Sequence, residues 1–297
     1  MAIKGLFQTI EDIIQLADNS NDSISEIMMK QEEMISGRSR LEIWSRMESI
    51  FDVMERAIEK GTTENVVSRS GLSGGSAVKV AEYLELKKTL SGPTILSAVK
   101  NALATSEVNA AMGIICATPT AGAAGVVPGC LFSARDTLSL TKEQQIRFLF
   151  TTGAIGYVIA NQATVSGAVG GCQAEIGSAT AMAAGALVEA AGGSAMQSAH
   201  AISFALQSML GLVCDPVAGL VEIPCIQRNA TGASIAMVAA DMALAGCEFP
   251  IPADEVIEAM YNVGKTIPYT LRETALGGLA KTKTGKSMAQ RISSDKQ

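Results

Sequence analysis

The centre of this 297-residue chain is nearly free of charge. Between Val108 and Cys214 only seven residues are charged: Arg135, Asp136, Lys142, Glu143, Arg147, Glu175 and Glu189. Two runs, Val108–Ala134 and Phe148–Ala174, carry no charge and are long enough to cross a bilayer. Both are rich in Gly, Ala and Thr rather than Leu, Ile and Phe. The first contains Pro119 and Pro128, and the second contains Asn161 and Gln162. A helix buried on all sides inside a protein also loses its polar face, and that account fits this composition better than a lipid-facing span. Charge concentrates before Lys100 and after Glu248. We therefore expect one all-α domain over 1–297, with amphipathic outer helices over 1–100 and a buried, charge-poor helical centre. No membrane insertion is expected.

The flanks carry ordinary helix signals. Thr9 can cap a first helix with Ile10, Ile13 and Ile14 on its apolar side, and 18–22 reads as a turn. Ser23 with Glu26 and Thr141 with Gln144 read as capping boxes, the second opening a helix through Tyr157. Trp44, Met47, Phe51, Met54 and Ile58 recur at spacings of three and four, which predicts an amphipathic helix that Gly61 can end. Further helices are expected from Ser91-Gly-Pro-Thr94 to about Ala104, over Ala179–Ala191, over Ser194–Met209, over Thr231–Ala245, and from Pro252 with its acidic first turn. The basic tail 281–297 is expected to fray. Val126-Val127 and Leu220–Ile223 are too short to argue for a sheet.

Two bends stand out. Ser70-Gly-Leu-Ser-Gly74-Gly75-Ser76 is Gly-rich and precedes Lys79. It can cradle a phosphate at a helix start, even that of pyridoxal phosphate, but it lacks the P-loop pattern and reads better as a connector. Thr118-Pro-Thr120-Ala-Gly122 breaks an apolar region. Its hydroxyls and freed N–H groups suit a carboxylate or an ammonium, although a simple buried turn looks the same in sequence.

Net charge is −6, with a sequence pI near 5.0, which argues against a nucleic-acid binder. A single histidine, His200, argues against a His-built zinc enzyme. It sits among Ala and Ser, where a packed side chain is the plainer explanation than a general base. Six cysteines and the lack of a signal-peptide pattern suggest a reducing cytoplasm with free thiols. Cys172, Cys214 and Cys225 lie in Gly- or Pro-marked bends, 42 and 11 positions apart. Thiolates suit iron–sulfur clusters and zinc, and Gly and Pro let the backbone approach closely. No CxxC pair is present, so the spacing alone also fits three buried, apolar cysteines. Cys116, Cys130 and Cys247 read as structural.

The motifs decide further. Gly171-Cys172-Gln173-Ala-Glu175-Ile-Gly177 and Leu212-Val-Cys214-Asp215-Pro216, continuing to Glu222-Ile-Pro224-Cys225-Ile-Gln-Arg228-Asn229, resemble the iron–sulfur-dependent L-serine dehydratases. The match is to the catalytic alpha chain of the form in which alpha and beta parts are separate polypeptides. Thr118–Gly125 and Leu271–Leu279 add to it, and the similarity covers nearly the whole chain.

That resemblance implies a [4Fe-4S] cluster on Cys172, Cys214 and Cys225, with one iron left as a Lewis acid for the serine hydroxyl. Elimination of water would give aminoacrylate, then pyruvate and ammonia, in L-serine degradation feeding gluconeogenesis. It also implies a beta-chain partner, L-serine as substrate, and substrate contacts among Thr118, Thr120, Gly122 and Ser166. Single-chain members end in a cysteine that can cover the open iron, whereas this sequence ends Asp295-Lys296-Gln297. Many relatives carry a Glu-His pair where this chain has Gln207-Ser208, so no role transfers there. With His200 poorly placed, the base for the α-proton is expected from the partner chain. Two alternatives remain: an L-cysteine desulfidase-like lyase, and a helical scaffold in which Asp215 or His200 completes a structural zinc site.

Overall fold

The computed structural model describes residues 5–86 and 88–294. Among them run thirteen α-helices: α1 Ile10–Ser20, α2 Ile24–Ser36, α3 Arg40–Thr63, α4 Ser76–Glu85, α5 Pro93–Ala110, α6 Val126–Leu138, α7 Lys142–Gln162, α8 Gly167–Gly170, α9 Ser178–Ala190, α10 Ala195–Gln207, α11 Cys225–Leu244, α12 Ala253–Thr266 and α13 Lys283–Ser294. The described residues hold no strand, only two isolated bridges, Val67 with Gly74 and Cys214 with Arg272. The fold is all-α, as expected. Among the described residues no helix is long and apolar enough to cross a membrane.

The core is built around α9. Every residue from Ser178 to Val188 is buried, and α6, α7, α10 and α11 pack around it. Ala-rich surfaces allow this, because short side chains let helices approach without interlocking long ones. α5 and α6 pack side by side, with α11 against α5. The outer helices lie over this centre. α2 covers α7, while α3 and α4 cover α5. α1 and α12 are strongly amphipathic, burying Ile10, Ile13 and Ile14 on one and Val256, Ile257 and Met260 on the other.

Local signals placed the helix starts well. Thr9, Thr141 and Ser194 each form full capping boxes with Asp12, Gln144 and Gln197. Ser23 accepts from the Glu26 N–H, but no reciprocal bond from Glu26 completes a box. Three helix N-termini, including those of α1 and α2, also receive a carboxylate from far away in the chain. The Asp254 carboxylate accepts from the N–H groups of Ile10 and Glu11 at 2.9 and 3.0 Å. Glu189 does the same for Ile24 and Ser25 at 2.6 and 3.2 Å. Glu107 does it for Ser76 and Ala77 at 2.7 and 3.2 Å. Each carboxylate meets bare amide donors and the positive end of a helix dipole.

Four helix ends differ from expectation. α1 continues into the expected turn and stops at Asn21, which adopts a left-handed conformation. α5 runs to Ala110 and α7 to Gln162, because no Gly or Pro follows Ala104 or Tyr157 to stop them there. Gly61 does not end α3. It lies inside the helix, where an added Cβ would come within 2.5 Å of the Ala104 carbonyl on α5. Gly61 therefore permits a close crossing of α3 and α5. Gly61→Ala is expected to destabilise the protein by about 1–3 kcal/mol, read as a lowered urea midpoint, because the two backbones must separate. In the C-terminal stretch expected to fray, residues 283–294 form α13. The last three positions of that stretch, 295–297, lie outside the described residues.

Candidate metal centre

Three chain segments carry the site, and Gln173 ties two of them together. Its main-chain N–H donates to Leu212 O at 3.0 Å. Its side chain accepts from Gly211 N at 2.9 Å and donates to Met260 O at 2.8 Å. The residue beside Cys172 thus grips the strand of chain that leads into Cys214. Cys214 is held from the other side by the segment after α12. Its N–H donates to Leu271 O at 2.8 Å, and its carbonyl accepts from Glu273 N at 2.7 Å. The third segment is the start of α11, where Cys225 is the first helical residue after Pro224.

Cys172, Cys214 and Cys225 are all buried, at 1%, 2% and 7% exposure, and none is in a disulfide. The Cys172 and Cys214 sulfurs lie within 4.8 Å of each other. Cys172 stands immediately before a π-helical turn, Gln173–Gly177, that continues into α9. Single π turns inside longer helices often mark functional sites. Glu175 sits within this turn. The ligand atoms of Cys172, Glu175 and Cys214 all lie within 4.8 Å of one another.

The electrostatics separate the thiols. The adjoining Cys214 thiol and the nearby Arg228 guanidinium favour the Cys172 thiolate and lower its pKa against the cost of burial. Cys214 is pushed up by its closeness to Cys172, with burial adding to the effect. Burial, with the Cys172 charge, pushes Cys225 up to about 12. Glu175 is raised mainly by burial and by Glu273, and is lowered by its bond from Thr120. Arg228 loses charge stability to burial but gains more from Cys172 and Asp215, so its pKa rises.

Arg228 is the hub of this arrangement. Nη1 donates to Val213 O at 2.7 Å, and Nη2 pairs with Asp215 Oδ1 at 2.9 Å. Asp215 also accepts from Leu279 N at 2.7 Å. Asn229, next on the helix, donates to Gly122 O at 2.7 Å and accepts from Gly125 N at 2.9 Å. That pins the Thr118–Gly125 bend beside the cysteines.

The expected substrate residues divide. Thr120 Oγ1 donates to Glu175 Oε1 at 2.7 Å. A Cβ on Gly122 would lie 3.1 Å from the same oxygen. Thr118 Oγ1 is buried with no hydrogen-bond partner, although its residue is only half-buried. Ser166 enters through its backbone, as the residue before Gly167. A Cβ on Gly167 would come 2.5 Å from Glu175 Oε2 and 3.3 Å from Cys214 Sγ. Glu175, Arg228, Asn229 and Gly167 were not singled out from sequence. A signal existed for two of them: Glu175 and Arg228 each follow a cysteine by three positions, one helical turn away on the same face.

The rival groups are occupied elsewhere. His200 Nδ1 accepts from Phe249 N at 3.2 Å, and Asp215 is paired with Arg228. Neither completes a zinc site. Glu107 fills the N-terminus of α4 where a phosphate would sit, and Lys79 is exposed. The Gly-rich loop is a fixed connector, with Ser70 and Ser73 donating to Glu222 at 2.9 and 2.8 Å. Cys130 is fully buried on α6 and donates weakly to Ala233 O at 3.6 Å, Cys116 is half-buried and Cys247 is exposed.

A family model described as serine dehydratase alpha chain matches residues 19–280. The chain belongs to the serine dehydratase alpha chain family. Among its relatives, a Bacillus subtilis protein named probable L-serine dehydratase, alpha chain, is 56% identical over 97% of this chain and 95% of its own length. The L-serine dehydratase, alpha chain, of Peptoniphilus asaccharolyticus is 41% identical over 95% of this chain and 97% of its own. The Escherichia coli L-serine dehydratase TdcG is 39% identical over 92% of this chain, which spans only 61% of that longer protein.

The donor set fits an iron–sulfur cluster within this family. Cys172 and Cys214 bring their sulfurs within 4.8 Å of each other, Cys225 stands outside that group at the start of α11, and all three thiols are buried and unpaired; soft sulfur donors are what such clusters require. Gly167 and Gly122 keep open the space that side chains would otherwise fill beside Glu175.

Proposed function

We propose that this chain is the alpha chain of an L-serine dehydratase, acting with a beta chain in the cytoplasm to convert L-serine to pyruvate and ammonia. Cys172, Cys214 and Cys225 would hold a [4Fe-4S] cluster. The observation that carries this is the buried meeting of Cys172, Cys214 and Glu175, with Cys225 close enough to feel the Cys172 charge, in a chain of this family.

When bound, the cluster supplies Lewis acidity toward the serine hydroxyl, with no electron sink of the pyridoxal kind required. The protein's own residues prepare the site. Arg228, on the helix that begins at Cys225, holds the Cys214 segment in place through Val213 O and Asp215. Thr118 Oγ1, buried and unpartnered, is free to bond the substrate's carboxylate or ammonium group, while Thr120, Gly122 and Gly167, the residue after Ser166, border the Glu175 carboxylate. Burial of the three cysteines keeps bulk water from the bound substrate. The sole histidine is committed to Phe249, so the base for the α-proton comes from the beta chain.

The test is anaerobic purification followed by iron and acid-labile sulfide determination. About four of each per chain are expected. Turnover of L-serine to pyruvate should be poor for the chain alone and rise at least about 10-fold when the beta chain is added, as expected when a general base arrives. Zinc without sulfide, or full activity of the single chain, would overturn this assignment. Faster pyruvate formation from L-cysteine than from L-serine would redirect it to a desulfidase.

A further inference from the structure

Every other buried carboxylate near this region has its charge answered. Asp215 has Arg228 and the Leu279 N–H. Glu107 has two helix N–H groups. Glu222 has the hydroxyls of Ser70 and Ser73. Glu175 is 9% exposed, and its hydrogen bonds are to one hydroxyl, Thr120 Oγ1, and one thiol, Cys214 Sγ. No salt bridge reaches it among the described residues, and the charged neighbour it feels, Glu273, is another acid. Burying a carboxylate without a cation is costly.

The geometry shows where a cation would come. Thr120 fixes Oε1 and so orients the carboxylate, leaving Oε2 at 4.0 Å from Cys214 Sγ. Glu175 shares a 4.8 Å sphere with the Cys172 and Cys214 sulfurs. Gly122 and Gly167 are the two positions where a Cβ would crowd the carboxylate, and both lack one. A hydroxyl clamp, a glycine cradle and two thiols within ligand reach make a built position for an oxygen donor.

We propose that Glu175 is the protein's fourth donor to the cluster, serving through Oε2 the iron that the three cysteines leave without a thiolate, and that it yields this position to substrate. The proposal rests on the cluster assignment above. A carboxylate is a harder donor than a thiolate and binds an iron–sulfur centre less firmly. It can therefore protect the cluster at rest and still be exchanged. Thr120 acts as a positioning residue, since it turns the carboxylate without reaching the thiols itself.

The test uses anaerobically purified full-length chain loaded with isotope-enriched iron, compared with Glu175→Gln, Glu175→Cys and Thr120→Val. Iron and sulfide contents are measured first, then Mössbauer spectra, then loss of iron under mild oxidation. In the wild type, one iron should stand apart from the others spectroscopically. Glu175→Gln should shift that component and speed iron loss by about 10-fold or more, in the range found when a metal site loses a supporting group. Thr120→Val should do the same to a lesser degree. In Glu175→Cys the distinct component should merge with the rest. An unchanged distinct component and an unchanged rate of iron loss in Glu175→Gln would overturn the proposal while leaving the cluster assignment intact. Absence of iron and sulfide from the wild type would instead overturn that assignment, and this proposal with it. Glu175→Gln keeps the shape of the side chain and its acceptor for Thr120, so a normal urea transition in that variant excludes misfolding as the cause.

Discussion

Alanine at Cys172, Cys214 or Cys225 is expected to remove iron and sulfide from the purified chain, and serine turnover in the presence of the beta chain should fall by more than about 100-fold. Cys247→Ala should change neither. The contrast follows from position. Cys247 is exposed, whereas the other three are buried and belong to segments fastened to one another by Gln173, Arg228 and the Leu271–Glu273 stretch. Losing one thiol leaves a cluster with two protein sulfurs, too few to hold it. The folded chain should survive, because a small apolar residue replaces a small, largely apolar one. Circular dichroism of the metal-free variants should therefore match that of the metal-free parent. Retention of sulfide in any of the three variants would remove that cysteine from the ligand set.

Arg228→Met should be the most damaging single change to the stability of the metal-free chain. It strands Asp215, which is 3% exposed, and frees the Val213 carbonyl. Breaking a buried ion pair by deleting one partner costs about 3–5 kcal/mol, because the remaining charge stays in a poorly solvating place. The Leu279 N–H still reaches Asp215 and softens the loss. Replacing both partners, Arg228→Met with Asp215→Leu, should recover part of the deficit, since well-packed apolar pairs often match buried ion pairs. Urea unfolding of the four proteins closes the cycle. A deficit for Arg228→Met below about 1 kcal/mol would show a pair that behaves as if solvated.

What sequence revealed, and what it hid, follows one physical line. Signals carried by adjacent residues were readable. Thr9, Thr141 and Ser194 announced their helices because a cap and its donor lie three positions apart. The α3 stripe from Trp44 to Ile58 announced its buried side by its period. The charge-poor centre announced burial, and α9 is buried along nearly its whole length. The ends of α5 and α7 were unreadable, because no Gly or Pro follows Ala104 or Tyr157 to distinguish a last turn from a middle one. Gly61 was misread for a related reason. A glycine that ends a helix and a glycine that lets another helix approach are the same letter, and only Ala104 on α5 tells them apart.

The same holds at the site. The cysteines were named from motifs, and Glu175 and Arg228 were quoted within those motifs, yet composition treats a buried acid and a surface acid alike. Their roles depend on partners 39 and 13 positions away, Cys214 for one and Asp215 for the other. His200 could be set aside from sequence on its surroundings, and its bond from Phe249 supplies the physical reason.

The carboxylates that close distant helix ends bear on the order in which the molecule can be completed. As the chain leaves the ribosome, α1 emerges long before Asp254, the carboxylate that reinforces its local Thr9 cap from 244 positions beyond Ile10. α2 likewise waits for Glu189, 165 positions on. Neither short helix is stable alone in water. The first helices to be made are thus among the last to be secured, and α1 and α2 must remain loosely structured until those carboxylates are available. Nascent chains stalled before Asp254 should be cut by protease within α1, and chains stalled beyond α12 should resist.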